Sequence, residues 1–201
     1  MSGIDYDLAY ADRQLRRSRH PLRKIVKKFY LENVLTDVRG PAIDFGCGAG
    51  QILARLPQGS LGLEVNPRLV DALREQGLNA QCYDPEQDQL SFSELPVGKY
   101  QTFIMSHVLE HFDNAAVGLR TVLKSCKRLG VTRVILVLPG EKGFTFDNTH
   151  RTFVNREYVF KHRLVDCEGF SVSHMSYFPL NVEAVGKVFV FHEFKIIYDE
   201  S

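Results

Sequence analysis

Residues 42–53 read "AIDFGCGAGQIL". An apolar run carrying one acid, Asp44, leads into Gly46, Gly48 and Gly50, and "QILARL" follows with helix-forming residues. This pattern predicts a strand, a tight glycine loop and a short helix. Glycines at the loop permit a sharp turn and let a ligand approach the backbone closely. The next apolar run, "LGLEV" (61–65), predicts a second strand with Glu64 at its end, twenty residues beyond Asp44. An acid at that place can accept hydrogen bonds from both hydroxyls of a ribose. A dinucleotide fingerprint counted from Gly46 is G-x-G-x-x-G/A and requires Gly or Ala at position 51. Gln51 stands there, so the spacing is G-x-G-x-G, which argues against NAD and FAD.

Outward from the loop, strands alternate with helices. Apolar residues Leu22, Ile25, Val26, Phe29, Tyr30 and Leu35 have helical spacing over 22–35, and Arg39-Gly40-Pro41 ends that helix. "PRLVDALREQ" (67–76) opens with proline and stops before Gly77. "LNAQCY" (78–83) and "YQTFIMS" (100–106) predict a third and a fourth strand. A helix over 114–129 closes at Gly130, and "RVILVLP" (133–139) is apolar enough for a strand buried on both faces. Residues 155–168 predict a helix that stops at Gly169. Two strands near 170–178 and 186–198 follow without a helix between them, so they predict an antiparallel hairpin at the end of the sheet. The expected fold is α/β: a doubly wound, mostly parallel, seven-stranded sheet with its crevice at the carboxyl ends of the strands.

Composition agrees with a globular chain: 44% hydrophobic and 24% charged over 201 residues. No repeat or Gly/Ser linker interrupts it. We expect a single domain, 1–201, with a helical cap over 1–39 and a Rossmann-like core over 40–201. No apolar run is long enough to span a bilayer, and the first residues do not resemble a signal peptide, so a cytoplasmic protein is expected. Four scattered cysteines without a C-x-x-C pair read as reduced packing residues. Net charge is +1, yet residues 13–28 hold eight of the 25 lysines and arginines and none of the 24 acids. Such a run is either a solvated helix face or a patch for an anionic ligand, a membrane surface or nucleic acid.

"MSHVLEHF" (105–112) contains His107-x-x-Glu110-His111, the H-x-x-E-H spacing of inverted zinc peptidases. A peptidase carries that pattern inside a long helix and adds a third ligand downstream. Here it follows a buried strand, and Glu183 or Glu193 could be proposed as third ligand only without supporting context. No metal is therefore expected. His107 should face the crevice, with Glu110 and His111 as supporting or surface residues.

The stretches "AIDFGCGAGQIL", "LGLEVNP" and "YQTFIMSHVLEHF", with the strand order and the terminal hairpin, resemble the class I S-adenosylmethionine-dependent methyltransferases over about residues 40–200. "SHVLEHF" and "DNTHRTFV" resemble segments of bacterial members acting on small molecules, sugars and lipids. The resemblance implies S-adenosylmethionine as cofactor. Asp44 would order the glycine loop near the methionine amino group, and the backbone of Gly46, Cys47 and Gly48, completed by Gly50, would line methionine and ribose. Glu64 would bind the ribose hydroxyls, Val65 and Asn66 would lie against adenine, and Asp84 would accept from the adenine N6. Ser106 and His107 would border the transferable methyl group.

The segment 139–159 leaves the fifth strand at its carboxyl end and should overhang that methyl group. It supplies Phe144, Phe146, Asp147, His150 and Arg151 as acceptor-binding candidates. A bland reading has His150 and Asp147 bonding each other to fix the loop. His150 and His107 are the candidate bases, because imidazole titrates near the working pH. The expected partner is a small-molecule acceptor, O- or N-methylated and anionic if the basic run recruits it. Nucleic acid is the rival acceptor. It lacks support from the Asn/Asp-Pro-Pro-aromatic segment of amino-methylating base enzymes or from an RNA-binding module. A catalytically silent cofactor-binding protein is the other rival.

Overall fold

The computed structural model describes residues 29–201. The basic run 13–28 and the first part of the helix expected over 22–35 lie outside these residues. The rest of that helix is present at 29–35.

The strands are β1 (Ala42–Phe45), β2 (Leu61–Glu64), β3 (Ala80–Cys82), β4 (Thr102–Ser106), β5 (Arg133–Pro139), β6 (Asp166–Cys167), β7 (Phe170–Phe178) and β8 (Glu193–Glu200). The helices are α1 (Pro67–Glu75), α2 (Ala115–Leu129), α3 (Glu141–Phe146) and α4 (Arg156–Lys161). One sheet runs in the order β3-β2-β1-β4-β5-β8-β7-β6. β1 to β5 are parallel, and β8 runs antiparallel to both β5 and β7. The chain reverses direction across the sheet between β1 and β4. In an open α/β sheet such a switch point opens a crevice at the carboxyl ends.

Alternation along the strands explains the two layers. Phe103, Met105, Val134 and Leu136 share a core with Leu119, Val122, Leu123 and Cys126 of α2. Ile104, Ile135 and Val137 point the other way, to Leu31, Val34 and Leu35 of the 29–35 helix. That helix is also tied down by charge. Lys195 Nζ on β8 donates to Asn33 O (2.7 Å), Asn33 Oδ1 (2.9 Å) and Asp37 Oδ2 (2.6 Å). Asn66 caps α1 by accepting from Arg68 N and Leu69 N, and Pro67 fills its first turn, where no amide partner is needed.

Four details differ from the sequence expectation. The sheet has eight strands, because the two-residue β6 pairs with β7 at the edge. The helix expected over 155–168 is only α4, since Leu164 is drawn into the core and Asp166–Cys167 are taken by pairing. The last strand starts at Glu193, not 186, because Glu183–Lys187 form a 3-10 turn. "QILARL" makes only a 3-10 turn, Leu53–Arg55, so no full helix opens at the glycine loop. Among the cysteines, Cys47, Cys126 and Cys167 are buried as packing residues, while Cys82 is exposed.

Gly50 shows what the loop demands. Its φ is +71°, and a Cβ there would stand 2.3 Å from Leu73 Cδ2 and 3.2 Å from Leu78 Cδ1. Gly50→Ala should therefore cost about 1–3 kcal/mol through overpacking, read as a lower denaturant midpoint with an unchanged slope. A midpoint equal to the parent's would show that the loop tolerates a side chain.

Candidate active site

The glycine loop is built on β2. Gly46 N (2.8 Å) and Cys47 N (3.1 Å) both donate to Leu63 O, and Gly50 N donates to Cys47 O (2.9 Å). Glu64 then closes the loop from the neighbouring strand end. Its Oε2 accepts from Gly48 N (2.9 Å) and its Oε1 from Asn66 N (3.0 Å). Burial raises the Glu64 pKa, and these amide bonds work against the rise. Each carboxylate oxygen keeps a second lone pair for a hydroxyl donor.

Asp44 sits one strand over, 2% exposed, with no hydrogen-bond partner for Oδ2 among the described residues. Burial pushes its pKa up to about 7, held back by a Leu53 backbone bond and raised further by the Glu64 charge. Gly48, at φ +53°, has nothing within 4 Å of the place a Cβ would occupy. A buried carboxylate oxygen awaiting a cation, an open backbone face and an acid with spare lone pairs fit an aminoacyl-nucleoside ligand. Asp44 could take an ammonium, Gly46 to Gly48 could line the chain of such a ligand, and Glu64 could take ribose hydroxyls.

The other expected cofactor residues flank this centre. Val65 is half-buried beside Glu64. Asn66 is buried, but its Oδ1 is engaged in capping α1. Asp84 is exposed beyond β3, and its Oδ1 accepts from Glu86 N (2.9 Å) and Gln87 N (3.3 Å). Ser106 ends β4, half-buried.

His107 follows with φ +57°, a left-handed conformation that costs a non-glycine residue roughly 1–2 kcal/mol. That turn takes the chain out of the sheet into a 3-10 turn over Leu109–His111. H-x-x-E-H is thus split between a strand end and a turn, and the single long helix of a peptidase is not formed. The His107 ring lies between two acids, with Nδ1 3.2 Å from Glu110 Oε1 and Nε2 3.0 Å from Glu193 Oε1. Burial opposes its charge, but hydrogen bonds to Glu110 and Glu193 outweigh it and hold the pKa at about 10.

Glu110 is fully buried, where the sequence had suggested a supporting or surface residue. Its carbonyl accepts from Arg151 N (2.8 Å) and Thr152 N (3.1 Å), which pins the 147–152 loop to the β4 end. His150 Nδ1 is 2.9 Å from Phe144 O, and its Nε2 lies 3.9 Å from Glu110 Oε1. The His111 and His150 rings meet edge to face at 4.9 Å. Phe144 stacks on His150 and leans on Phe153, both at 5.3 Å. Asp147 does not bond the His150 side chain. It accepts from Thr149 N (3.0 Å) and Thr149 Oγ1 (2.7 Å). Phe146 is 78% exposed, and Arg151 is exposed as well. Sequence reasoning saw His150 and His107 but not that Glu110 would stand between them. The only signal was the H-x-x-E-H spacing itself.

Residues 43–134 match the family described as a methyltransferase domain. The whole fold is similar to a SAM-dependent methyltransferase from Archaeoglobus fulgidus: 20% identity, TM-score 0.66, covering 96% of this chain and 100% of that one. It is also similar to magnesium protoporphyrin IX methyltransferase from Synechocystis PCC 6803 with bound SAH: 16% identity, TM-score 0.66, covering 98% and 97%. No curated protein matches the chain in sequence. Residues 43–134 are thus similar in sequence to a methyltransferase domain, and the fold is similar to that of S-adenosylmethionine-dependent methyltransferases.

Asp44 yields a pH-dependent signal. With a pKa of about 7, it is largely protonated below neutrality in the free protein. An adjacent ammonium favours the carboxylate and lowers the pKa. Binding of S-adenosylhomocysteine near pH 6 should therefore release a proton, seen by calorimetry in buffers of different ionisation enthalpy. Asp44→Asn should remove that release. The same shift makes stability fall as pH rises from the ordinary carboxylate range to about 7, because the folded state holds the proton more tightly.

Proposed function

We propose that the enzyme transfers the methyl group to an oxygen or nitrogen atom of a small-molecule, sugar or lipid-linked acceptor. The observation that carries this reading is a cleft of about 330 Å³ at the carboxyl end of β5, beneath the segment that follows it. Pro139, Phe153, Val154, Tyr177 and Phe194 give it apolar walls, while Asn155 and His192 give it polar points. Its size lies at the lower end of small-molecule sites. Glu141, Glu157 and Glu183 line it against one cation, Lys187, so the lining does not favour an anionic acceptor. The expectation of an anionic group rested on residues 13–28, outside the described residues.

S-adenosylmethionine supplies a methyl group already activated on a sulfonium. The protein's share is alignment and exclusion of water. In this reading Asp44 holds the ammonium, Gly46, Cys47, Gly48 and Gly50 carry the backbone wall, and Glu64 holds the ribose. Val65 and Asn66 border the adenine, with Asp84 at its outer edge, and Ser106 and His107 border the methyl group. His107, held as a cation, donates and does not accept a proton at neutral pH. The task of drawing off an acceptor's proton then falls to His150, whose Nδ1 is committed to Phe144 O and whose Nε2 keeps a lone pair. Phe144 and Phe153 wall the acceptor side, with Phe146, Asp147 and Arg151 towards the rim.

Labelled-methyl transfer to panels of hydroxylated and amine small molecules, with structured RNA alongside, tests the acceptor class. Methylation of RNA alone would overturn this reading. Glu64→Ala should weaken S-adenosylhomocysteine binding roughly 10–150-fold, the loss of ~1.5–3 kcal/mol from hydrogen bonds to a charged group. His150→Ala should lower turnover by ~10²–10⁴-fold while leaving cofactor affinity unchanged. A collapse of cofactor affinity in the His150 variant would move that loop into the cofactor site.

A further inference from the structure

We propose that Glu110, His111 and His150 form a binding site for one divalent transition-metal ion of the zinc type, at the junction of the β4 end and the 147–152 loop. One ligand atom from each of these residues lies within 4.8 Å of the others. Two histidines and one glutamate are a ligand set of catalytic zinc sites, which leave a fourth position open. At ~2.0–2.2 Å from each ligand, such an ion needs the three atoms to close by only on the order of 1 Å.

Two further observations point to a ligand here. First, Glu110 is 0% exposed and its Oε2 has no hydrogen-bond partner among the described residues, although Oε1 meets His107. An uncompensated buried carboxylate oxygen is costly, and a cation is the partner that removes the cost. Second, both rings are held for ligation. His150 Nδ1 lies 2.9 Å from Phe144 O and must donate to it, which leaves the lone pair on Nε2. His111 Nδ1 lies 3.3 Å from Thr149 O and 3.2 Å from Thr149 Oγ1. The Thr149 hydroxyl proton is already donated to Asp147 Oδ1 at 2.7 Å. His111 Nδ1 therefore donates too, and its Nε2 carries the lone pair. A backbone carbonyl or carboxylate fixing Nδ1–H is the usual outer support of a metal-bound histidine.

Magnesium does not suit the set, because it prefers oxygen ligands in a near-octahedral shell. The site sits at the carboxyl edge where β4 and the segment after β5 meet. If methyl transfer proceeds there as proposed above, on which this extension rests, the open position would take the acceptor's oxygen. The His150 lone pair would then serve the acceptor through the metal and would not take its proton directly.

The test uses the full chain, stripped with chelator and dialysed. Zn²⁺, Co²⁺ and Mg²⁺ are titrated alone, and S-adenosylhomocysteine binding is measured in the same samples. The expected result is one Zn²⁺ per chain, a Co²⁺ visible spectrum of low-coordinate type, and no comparable binding of Mg²⁺. His111→Gln and His150→Gln should each weaken Zn²⁺ at least as much as the ~10–100-fold typical of losing an outer partner, and Asp147→Asn should fall within that range. Retained S-adenosylhomocysteine binding reports that each variant is folded. If the parent binds S-adenosylhomocysteine but neither Zn²⁺ nor Co²⁺ stoichiometrically, the metal site is overturned and methyl transfer stands. Zn²⁺ affinity unchanged in both histidine variants also overturns it, since the ion then sits elsewhere. Zn²⁺ bound as expected without any S-adenosylhomocysteine binding supports the metal site and sinks the methyl-transfer reading.

Discussion

The Glu110 carbonyl accepts two amides, Arg151 N and Thr152 N, and the geometry of the acceptor side follows from that pairing. It joins the end of β4 to a loop forty residues away in the chain. Each such bond contributes only about 0.5–1.5 kcal/mol net, yet together they fix the register of the loop against the strand end. His150 precedes Arg151, and His111 follows Glu110, so both rings converge on one carboxylate. Asp147 and Thr149 stiffen the loop from its own side. Thr149 with His111 Nδ1, and Thr152 Oγ1 donating to Phe112 O (2.7 Å) and Asp113 O (3.1 Å), add further ties between the same two segments.

The cofactor side follows a parallel logic. Glu64 reaches across from β2 to Gly48 N and back to Asn66 N, so one side chain sets both the loop and the entry to α1. The 3-10 turn at Leu53–Arg55 offers little helix dipole, so an anion-binding helix N-terminus is not the device used. The loop presents open backbone at Gly48 and a buried acid at Asp44 instead. That arrangement suits a cationic aminoacyl group better than a pyrophosphate, in agreement with Gln51 breaking the dinucleotide spacing.

Much of this was legible in the sequence where local chemistry decides the outcome. Asp44, the glycines and Glu64 lie within about twenty residues, so their register follows from strand and loop lengths. The strands β1, β2, β4 and β5 are apolar on both faces and could be read directly. Pairing decides the parts that were not legible. β6 has two residues and no pattern of its own, and it exists because β7 offers an edge. "QILARL" has helical propensity, but Leu53 is drawn into the packing with Val70 and Leu73, and the helix shortens to a turn. The partner of Glu110 was beyond reach for the same reason. No spacing rule connects residue 111 to residue 150. Of the third-ligand candidates the sequence offers, Glu183 and Glu193, Glu193 contacts His107.

Asp44 on β1 and Glu110 in the turn that follows β4 share one physical condition. Each is almost wholly buried, and each leaves one carboxylate oxygen without a partner among the described residues. β1 and β4 pair in parallel, with Phe45 opposite Met105, so the two acids emerge at the same edge of the sheet. A chain selected for stability alone would have replaced them with apolar residues, since a buried, half-satisfied charge is a net loss. His107 meets one oxygen of Glu110, and a cation at the unpartnered oxygen of each acid would offset the rest of the loss. In the readings proposed above, an ammonium would meet Asp44 and a metal ion Glu110, one serving the methyl donor and one the acceptor. In those readings the end of β1 and the turn beyond the adjacent strand β4 would set the distance between donor and acceptor before either has bound. Preorganisation of that kind is the larger part of what a protein can contribute to an in-line displacement.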